Sequence, residues 1–261
     1  RIEVDVPTLD KQRKIVSMLD AIQAKLCISS HTNDYLAQCL LARYDHLFGA
    51  NYAYDGTIAD IGDIIGGATP SKKKPEYYCA DGIGWITPRD LSNTTDKFIA
   101  HGADDISQLG YDSCSVRMLP AGTVLFSSRA PIGYIAIATD NVTTNQGFKS
   151  VVPHEEIGTA FVYCFLKRNK DRIADAGSGT TFPEVSSKTM AGIELSVPDS
   201  ELCAEFSEWA KPLLEQQCYL EEENRRLGEL RDTLLPKLMS GEVDVRGIEL
   251  PTQPNNHLCA D

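Results

Sequence analysis

A long helical pattern occurs twice in this sequence, and this repeat constrains the fold more than any other feature. The two copies span residues 10–49 and 202–241, and they superpose at an offset of 191 residues. At the same offset, IEVDVP at residues 2–7 aligns with IELSVP at residues 193–198. An internal repeat of this length indicates two structurally equivalent units. We therefore expect two long helices with similar packing.

Apolar residues recur at heptad spacing in both copies. One row of the first copy runs through Ile15 and Ile22, and the matching row of the second runs through Phe206 and Leu213. A period nearer 3.5 than 3.6 residues is typical of helices that pair along their length. The alternative is that each helix packs its apolar face on a local core. The positions predicted to pair the helices are Leu19, Leu26, Asn33, Leu40, Leu220, Asn224, Leu227 and Leu234.

Asn33 and Asn224 occupy equivalent positions in the two apolar rows. A single amide in an apolar seam lowers stability and favours the register in which it finds a hydrogen-bonding partner. The two matched Asn residues therefore predict that one long helix pairs with the other.

Composition indicates a globular chain of one or two domains, because 42% of its 261 residues are hydrophobic. No run of about 18 apolar residues and no signal-peptide pattern occurs, so we expect no membrane partner. The eight Cys residues show no C-x-x-C spacing, which disfavours a zinc site or a disulfide framework. Scattered Cys are typical of a reducing compartment, and a cytoplasmic location is expected.

The net charge of −12 argues against a polyanionic partner for the chain as a whole. The charge is unevenly distributed, since residues 66–150 contain eight Lys and Arg against eight Asp and Glu. The acidity lies mainly in the helical copies and the tail, as in Glu221, Glu222 and Glu223. The neutral middle region can bind DNA if its basic residues share one face.

The region between the helices has a different pattern, in which short apolar runs are separated by Gly, Pro, Asn and Asp. This pattern predicts strands and turns, with one shorter helix over residues 159–173. Pro212 leaves two alternatives for the second long helix, namely a separate first segment or a kink. The predicted segments are the end of a preceding repeat at 1–9, a helix at 10–49, a domain at 57–199, a helix at 200–241 and a C-terminal tail at 242–261.

Sequence motifs of enzymes are lacking. Neither the glycine-rich nucleotide-binding patterns, nor H-E-x-x-H, nor G-x-S-x-G, nor the Asn-Pro-Pro-aromatic motif of amino-methyltransferases occurs. The five His are scattered, and the adjacent Asp104 and Asp105 are more typical of a solvated surface. We expect a chain that is not an enzyme and that binds no metal or cofactor of its own.

Five segments of the middle region follow one another in the order IGDIIGGATPSKKKPEYY, GIGWITPRDLSN, LPAGTVLFSSRAPIGYIAIA, TTNQGFKSVVP and GSGTTFPEVSSKTMAGIELSVP. In order and spacing they resemble the target recognition domain of type I restriction-modification specificity subunits. The two long helices resemble the conserved spacer regions of that family. The resemblance implies an α+β fold, in which a recognition domain with a twisted, mostly antiparallel sheet is flanked by two long coiled-coil-like helices.

The resemblance also implies a function and partners. In that family, two recognition domains each read half of a split site in double-stranded DNA. The spacer helices pair antiparallel and dock methyltransferase subunits, which use S-adenosylmethionine, and restriction subunits can join. With one recognition domain, this chain resembles the second half of such a subunit, so a second copy or a missing first half is a further expected partner. Alternatives are the specificity tail of a fused restriction-modification enzyme and a coiled-coil interaction protein without DNA binding.

Basic and polar residues in these segments are the predicted DNA contacts. Lys72, Lys73 and Lys74 follow a Gly-Gly turn with Thr69 and Ser71, where ammonium groups can meet phosphates, unless this is only a solvated basic loop. Base readout is expected in the loops 70–81 and 89–97. An Arg can contact guanine and an Asp can accept from cytosine, which makes Arg89 and Asp90 candidates, although Asp90 could instead form a local salt bridge.

The later segments add a second set of predicted contacts. Asn145 and Gln146 have amides suited to adenine, although both could instead bond neighbouring loops. Contacts to the DNA backbone are expected from Ser128, Arg129 and Lys149. The predicted phosphate-binding hydroxyls and amides belong to Ser178, Thr180 and Thr181.

Overall fold

The structure, a computed structural model, describes residues 7–49, 54–129, 131–179 and 183–245. These described residues divide into two compact units, one within 1–38 and 215–261 and the other within 39–214. The helices are α1 (Leu9–Phe48), α2 (Pro88–Ser92), α3 (Gln108–Asp112), α4 (Gly158–Arg168), α5 (Lys170–Asp175), α6 (Ser187–Ala191) and α7 (Ser200–Ser240).

The strands are short and lie in the second unit. They are β1 (Gly56–Thr57), β2 (Gly62–Gly66), β3 (Tyr78–Cys79), β4 (Gly84–Ile86), β5 (Phe98–Ile99), β6 (Asp105–Ile106), β7 (Val124–Ser128), β8 (Ile132–Ala138), β9 (Val142–Thr144), β10 (Lys149–Pro153) and β11 (Glu194–Leu195). Short 3-10 helices span Ile58–Asp60 and Pro75–Tyr77.

The main sheet has the strand order β2-β10-β7-β8-β5 and is antiparallel except for the β5–β8 pair. Three two-stranded sheets accompany it, of which β4–β9 is parallel and β1–β11 and β3–β6 are antiparallel. All five residues of the central strand β7 are buried. The predicted α+β class, with a mostly antiparallel sheet and two long helices, is confirmed.

The core of the second unit lies between the sheet and α4, whose residues 160–166 are all buried. The predicted single helix over 159–173 is wrong in its continuity, because α4 ends at Arg168 and α5 begins at Lys170. Asn169 lies between them with φ −104° and ψ 11°, and its side-chain amide donates to the Phe165 carbonyl over 2.9 Å. This local bond offers the backbone an alternative to the continuing helix.

Aromatic rings join parts of both long helices to this core. The ring of Phe48 lies 4.9 Å from that of Phe161 on α4 and 5.6 Å from that of Phe206 on α7. Tyr44 packs beside them, with its ring centre 5.4 Å from that of Phe161. Burial raises the pKa of the Tyr44 hydroxyl, so that the group stays neutral. Within this unit, the helix segments 39–48 and 200–214 therefore pack on a common core.

In the first unit, segments of α1 and α7 pair antiparallel. Ile15 shares a buried cluster with Leu238 and Val245, whereas Asn33 contacts Glu221. As residue numbers rise along α1, those of its partners on α7 fall. Seven of the eight positions predicted to pair the helices lie in this unit and are buried or half-buried, whereas Leu40 lies in the core cluster of the second unit.

The antiparallel direction changes the expected role of the two Asn residues. The side chain of Asn33 donates to Glu221 over 2.9 Å, rather than contacting Asn224. Ser29, four residues earlier on α1, donates to Glu223, the neighbour of Asn224. Equivalent positions of an antiparallel pair meet only at its centre, and each Asn lies to one side of that centre.

The second long helix is continuous from Ser200 to Ser240. Pro212 lies exposed within it, so the alternative of a separate first segment is wrong. The described residues contain no helix that is long and apolar enough to cross a membrane.

Candidate nucleic-acid interface

A tight turn between β9 and β10 lies at the centre of the candidate interface. The side-chain oxygen of Asn145 accepts a hydrogen bond from the Gly147 amide over 2.8 Å, and the Asn145 amide donates to the Ile86 carbonyl over 3.0 Å. Gln146 lies exposed at the apex of the turn. The side chain of Asn145 therefore fixes the turn, whereas that of Gln146 is exposed.

The loop after β2 packs directly against this turn. The Ala68 amide donates to the Thr144 carbonyl over 2.9 Å, and the Thr69 hydroxyl bonds the side chain of Gln146. A Cβ placed on Gly67 would lie 2.2 Å from the carbonyl oxygens of both Thr144 and Asn145. Only glycine allows the two backbones to come this close.

The lysines of this loop differ in their surroundings. The ammonium group of Lys74 lies 2.9 Å from the Tyr77 hydroxyl and 5.0 Å from the centre of its ring. The hydrogen bond with Tyr77 raises the pKa of Lys74. Lys72 and Lys73 are exposed, as is Ser71, and their side chains extend into solvent. This arrangement suits phosphate contacts by mobile ammonium groups.

The start of α2 adjoins the same turn, because a Cβ on Gly147 would lie 2.8 Å from the ring of Pro88. Arg89 follows it and is exposed. The Asp90 carboxylate accepts from the Thr87 amide and hydroxyl, each over 2.7 Å, and from the Ala103 amide over 3.0 Å. Asp90 therefore completes the capping box of α2, in which Thr87 is the N-cap, and its carboxylate accepts from three donors within the domain.

A second group of predicted residues lies where β7 ends and β10 begins. Ser128 is fully buried, and its amide and hydroxyl donate to the Gly147 carbonyl over 2.7 and 3.1 Å. The prediction that Ser128 contacts DNA is therefore wrong, because it belongs to the buried central strand. Its hydrogen bonds instead connect this group to the turn.

Two basic side chains of the second group share a carboxylate. The Lys149 ammonium lies 3.3 Å from Glu184, and the Arg129 guanidinium lies 3.7 Å from the same residue. Ser178 is exposed and exchanges two backbone hydrogen bonds of 3.0 Å with Glu184. Thr180 and Thr181, which complete the predicted set, lie outside the described residues.

The structure thus brings most of the predicted residues to one region around Gly147. Sequence reasoning missed Gly67, Tyr77 and Glu184. The only sequence signal for Glu184 is its position as the sole acid in the stretch GSGTTFPEVSS. Among the described residues, no group of three or more His, Cys, Asp or Glu is arranged to hold a metal ion.

Comparison with known proteins gives a consistent family. The family model described as "Type I restriction modification DNA specificity domain" matches residues 54–202. The MjaIX specificity subunit of Methanocaldococcus jannaschii, a type I restriction enzyme subunit, is 41% identical over 146 residues, which are 55% of this chain and 34% of that protein. The HindI specificity subunit of Haemophilus influenzae is 32% identical over 189 residues, 71% of this chain and 40% of that protein.

Solved structures share the fold. The type I restriction-modification S subunit from M. genitalium has a TM-score of 0.62 at 18% identity, covering 88% of this chain and 61% of that one. The HsdS subunit from Thermoanaerobacter tengcongensis has a TM-score of 0.50 at 17% identity, covering 92% of this chain and 60% of that one. The chain spans 34–40% of the length of the two curated relatives above. It belongs to the type I restriction-modification specificity subunit family and carries one DNA specificity domain of that family.

Proposed function

We propose that this chain recognises double-stranded DNA as the specificity component of a type I restriction-modification complex, and that its domain reads one half of a bipartite site. The match of residues 54–202 to a DNA specificity domain carries the proposal. The grouping of exposed polar and basic residues around Gly147 supports it, because direct readout needs such side chains on one surface.

The residues of this surface divide by chemistry. The exposed amide of Gln146 can form a bidentate contact to adenine, and Arg89 can form one to guanine. Lys72 and Lys73 are suited to phosphates, which fix the position of a protein on DNA without reading its sequence. Arg129 is the half-exposed cation of the second group and takes a phosphate contact in this proposal.

We further propose that the long helices dock methyltransferase subunits, on which S-adenosylmethionine is bound, and that a restriction subunit joins this complex. The chain then supplies specificity and the partners supply catalysis. The naming of the relatives as specificity subunits of restriction enzymes supports this division.

A second recognition domain, from a second copy or a missing first half, is also part of the proposal. Tyr44 and Phe48 pack against the recognition domain of this chain. The repeat makes Leu235 and Met239 their counterparts, and these side chains are 43% and 62% exposed. Because Tyr44 and Phe48 pack against one recognition domain, the exposed side chains of Leu235 and Met239 are suited to pack against a second one.

Methylome sequencing of cells that express the chain with its methyltransferase subunits tests this function. We expect methylation at a split motif, one half of which changes when Gln146 is replaced by Ala. Methylation that is absent, or that is unchanged by substitutions throughout the Gly147 region, would contradict the proposal. A chain that fails to shift random-sequence duplex even at low salt would favour the coiled-coil interaction protein instead.

A further inference from the structure

Glu184 is an acidic residue that lies between two basic side chains predicted to bind DNA. Its two carboxylate oxygens face different partners, since Oε1 is 3.3 Å from Lys149 Nζ and Oε2 is 3.7 Å from Arg129 Nη1. Its backbone is held on both sides, through Ser178 and through the amide of Val185, which donates to the Ser128 carbonyl over 3.0 Å. The carboxylate is thus held at a defined place opposite the two basic groups.

The exposure of the three side chains limits how an external anion can reach them. The side chains of Arg129 and Glu184 are 37% and 40% exposed, whereas that of Lys149 is only 12% exposed. The Lys149 ammonium also lies 3.4 Å from the buried Ser128 hydroxyl. An anion from solvent can therefore meet Lys149 mainly at the position that the Glu184 carboxylate occupies.

The chemistry of this position is that of a phosphate site. An Arg and a Lys that converge on one set of oxygens bind phosphate as readily as carboxylate, through charge-assisted hydrogen bonds. Glu184 thus lowers the positive charge that Arg129 and Lys149 present to an approaching phosphate. A partly exposed ion pair is weak, so the carboxylate can rotate into water and be replaced.

We propose that Glu184 occupies the place of a DNA phosphate in the free protein and that the phosphate displaces it when DNA binds. The inference rests on the proposed DNA-recognition function and adds a residue that opposes binding. Because the competition concerns the sugar-phosphate backbone alone, it lowers the affinity for DNA of every sequence. Glu184 thereby limits the retention of the protein on unrelated DNA.

The test measures the affinity of the full chain for a random-sequence duplex over a salt series. Glu184→Gln keeps the shape of the side chain and removes its charge. We expect it to bind up to about fivefold more tightly, since an exposed ion pair is worth up to about 1 kcal/mol. We also expect the slope of log affinity against log salt to steepen by up to about one unit. Glu184→Ala should also increase the affinity for DNA. It replaces the Gln variant in the test if that variant unfolds at a lower temperature than the unaltered chain.

Two further variants separate displacement from a general change of charge. Asp175→Asn removes one negative charge from a residue that lines the same surface cavity as Arg129 and Glu184. We expect it to change affinity far less than Glu184→Gln, and an equal gain would overturn the proposal. Adding Lys149→Met to Glu184→Gln should abolish most of the gain.

The outcomes also separate this inference from the proposed function. If the unaltered chain binds DNA and neither Glu184 variant binds more tightly, the inference fails while DNA recognition stands. If neither the unaltered chain nor any variant binds DNA at low salt, the proposed function fails and the inference falls with it.

Discussion

The side-chain amide of Asn33 donates a 2.9 Å hydrogen bond to the carboxylate of Glu221 across the paired helix segments. Both residues are buried, with 8% and 6% of their surfaces exposed. The side-chain oxygens of Asn33 and of Asn224, its counterpart in the repeat, are both buried without a hydrogen-bond partner, so the bond to Glu221 is what distinguishes Asn33. Two residues that are equivalent in the repeat therefore contribute differently to the free energy of unfolding.

This inequality predicts opposite effects of one substitution. Asn33→Leu should lower the free energy of unfolding by about 1–2 kcal/mol, because the loss of a hydrogen bond to a buried carboxylate outweighs the removal of the unsatisfied Asn33 oxygen. Asn224→Leu should leave it unchanged or raise it, because an unsatisfied polar atom is replaced by an apolar one. Urea denaturation of the two variants checks this, and equal losses from both would contradict it.

The contact between the β2 loop and the β9–β10 turn predicts a sharp difference between adjacent glycines. Gly67→Ala would place a methyl group against two backbone carbonyls at 2.2 Å, so the loop must separate from the turn. We expect a loss of DNA affinity of about five- to 150-fold, which corresponds to the roughly 1–3 kcal/mol that strain of this kind costs. Gly66→Ala is the matched control, since its nearest neighbour lies at 3.8 Å, and comparable losses from both would contradict the packing argument.

Arg129→Ala should weaken binding to DNA of any sequence and reduce the salt slope by about one unit, as expected for the loss of one phosphate contact. Arg117→Ala removes the same charge from another exposed position and should have a smaller effect. Fluorescence anisotropy over a salt series measures both. Unchanged affinity of the Arg129 variant at every salt concentration would remove it from the interface.

Substitutions of Gln146 and of Lys72 should affect DNA binding in different ways. Gln146→Ala should reduce discrimination at one base pair by about 1–3 kcal/mol, because a bidentate amide contact is lost. Lys72→Ala should weaken binding uniformly without altering the preferred sequence. Selection of bound sequences from a random duplex library distinguishes the two effects. A uniform loss from the Gln146 variant would assign this residue to the phosphates.

The cysteines should react with thiol reagents at very different rates. Burial, aided by Asp199, raises the pKa of Cys203 to about 12, and burial also raises that of Cys164. Since the thiolate is the reactive form, both should resist modification at pH 8 in the folded chain, and the reaction of Cys203 should accelerate only as the pH approaches its raised pKa. The exposed Cys39 should react first. Mass spectrometry of each site after timed labelling provides the measurement, and rapid labelling of Cys203 would show that its surroundings open.

The parts of the fold that could be predicted are those with a local signal. The heptad rows predict α1 and α7 because the spacing of apolar residues depends only on the helix itself. The break at Asn169 was missed because one side chain bonding the preceding turn leaves no periodic trace. The direction of helix pairing, and with it the partner of Asn33, depends on contacts between segments far apart in the chain.

The candidate site shows the same limit. Lys72 and Gln146 could be predicted as exposed because they lie in turn-rich stretches. The burial of Ser128 could not, since it depends on β7 being the central strand of its sheet. The proposed role of Glu184 depends on Lys149, at the start of β10, and on Arg129, directly after β7. The contact between this carboxylate and the two basic groups can be recognised only in the folded sheet.

Gly147 connects the two groups of the candidate interface, because its amide bonds Asn145 and its carbonyl accepts from Ser128. A substitution that shifts Gly147 should therefore move the side-chain amide of Gln146 together with the basic groups of Arg129 and Lys149. Engineering a new target sequence should accordingly vary the side chains at Gln146 and in the exposed loop from Ser71, while Asn145 and Gly147 are kept. Libraries that also randomise Asn145 and Gly147 should yield mostly variants that lose the proposed base contact and the proposed phosphate contacts together.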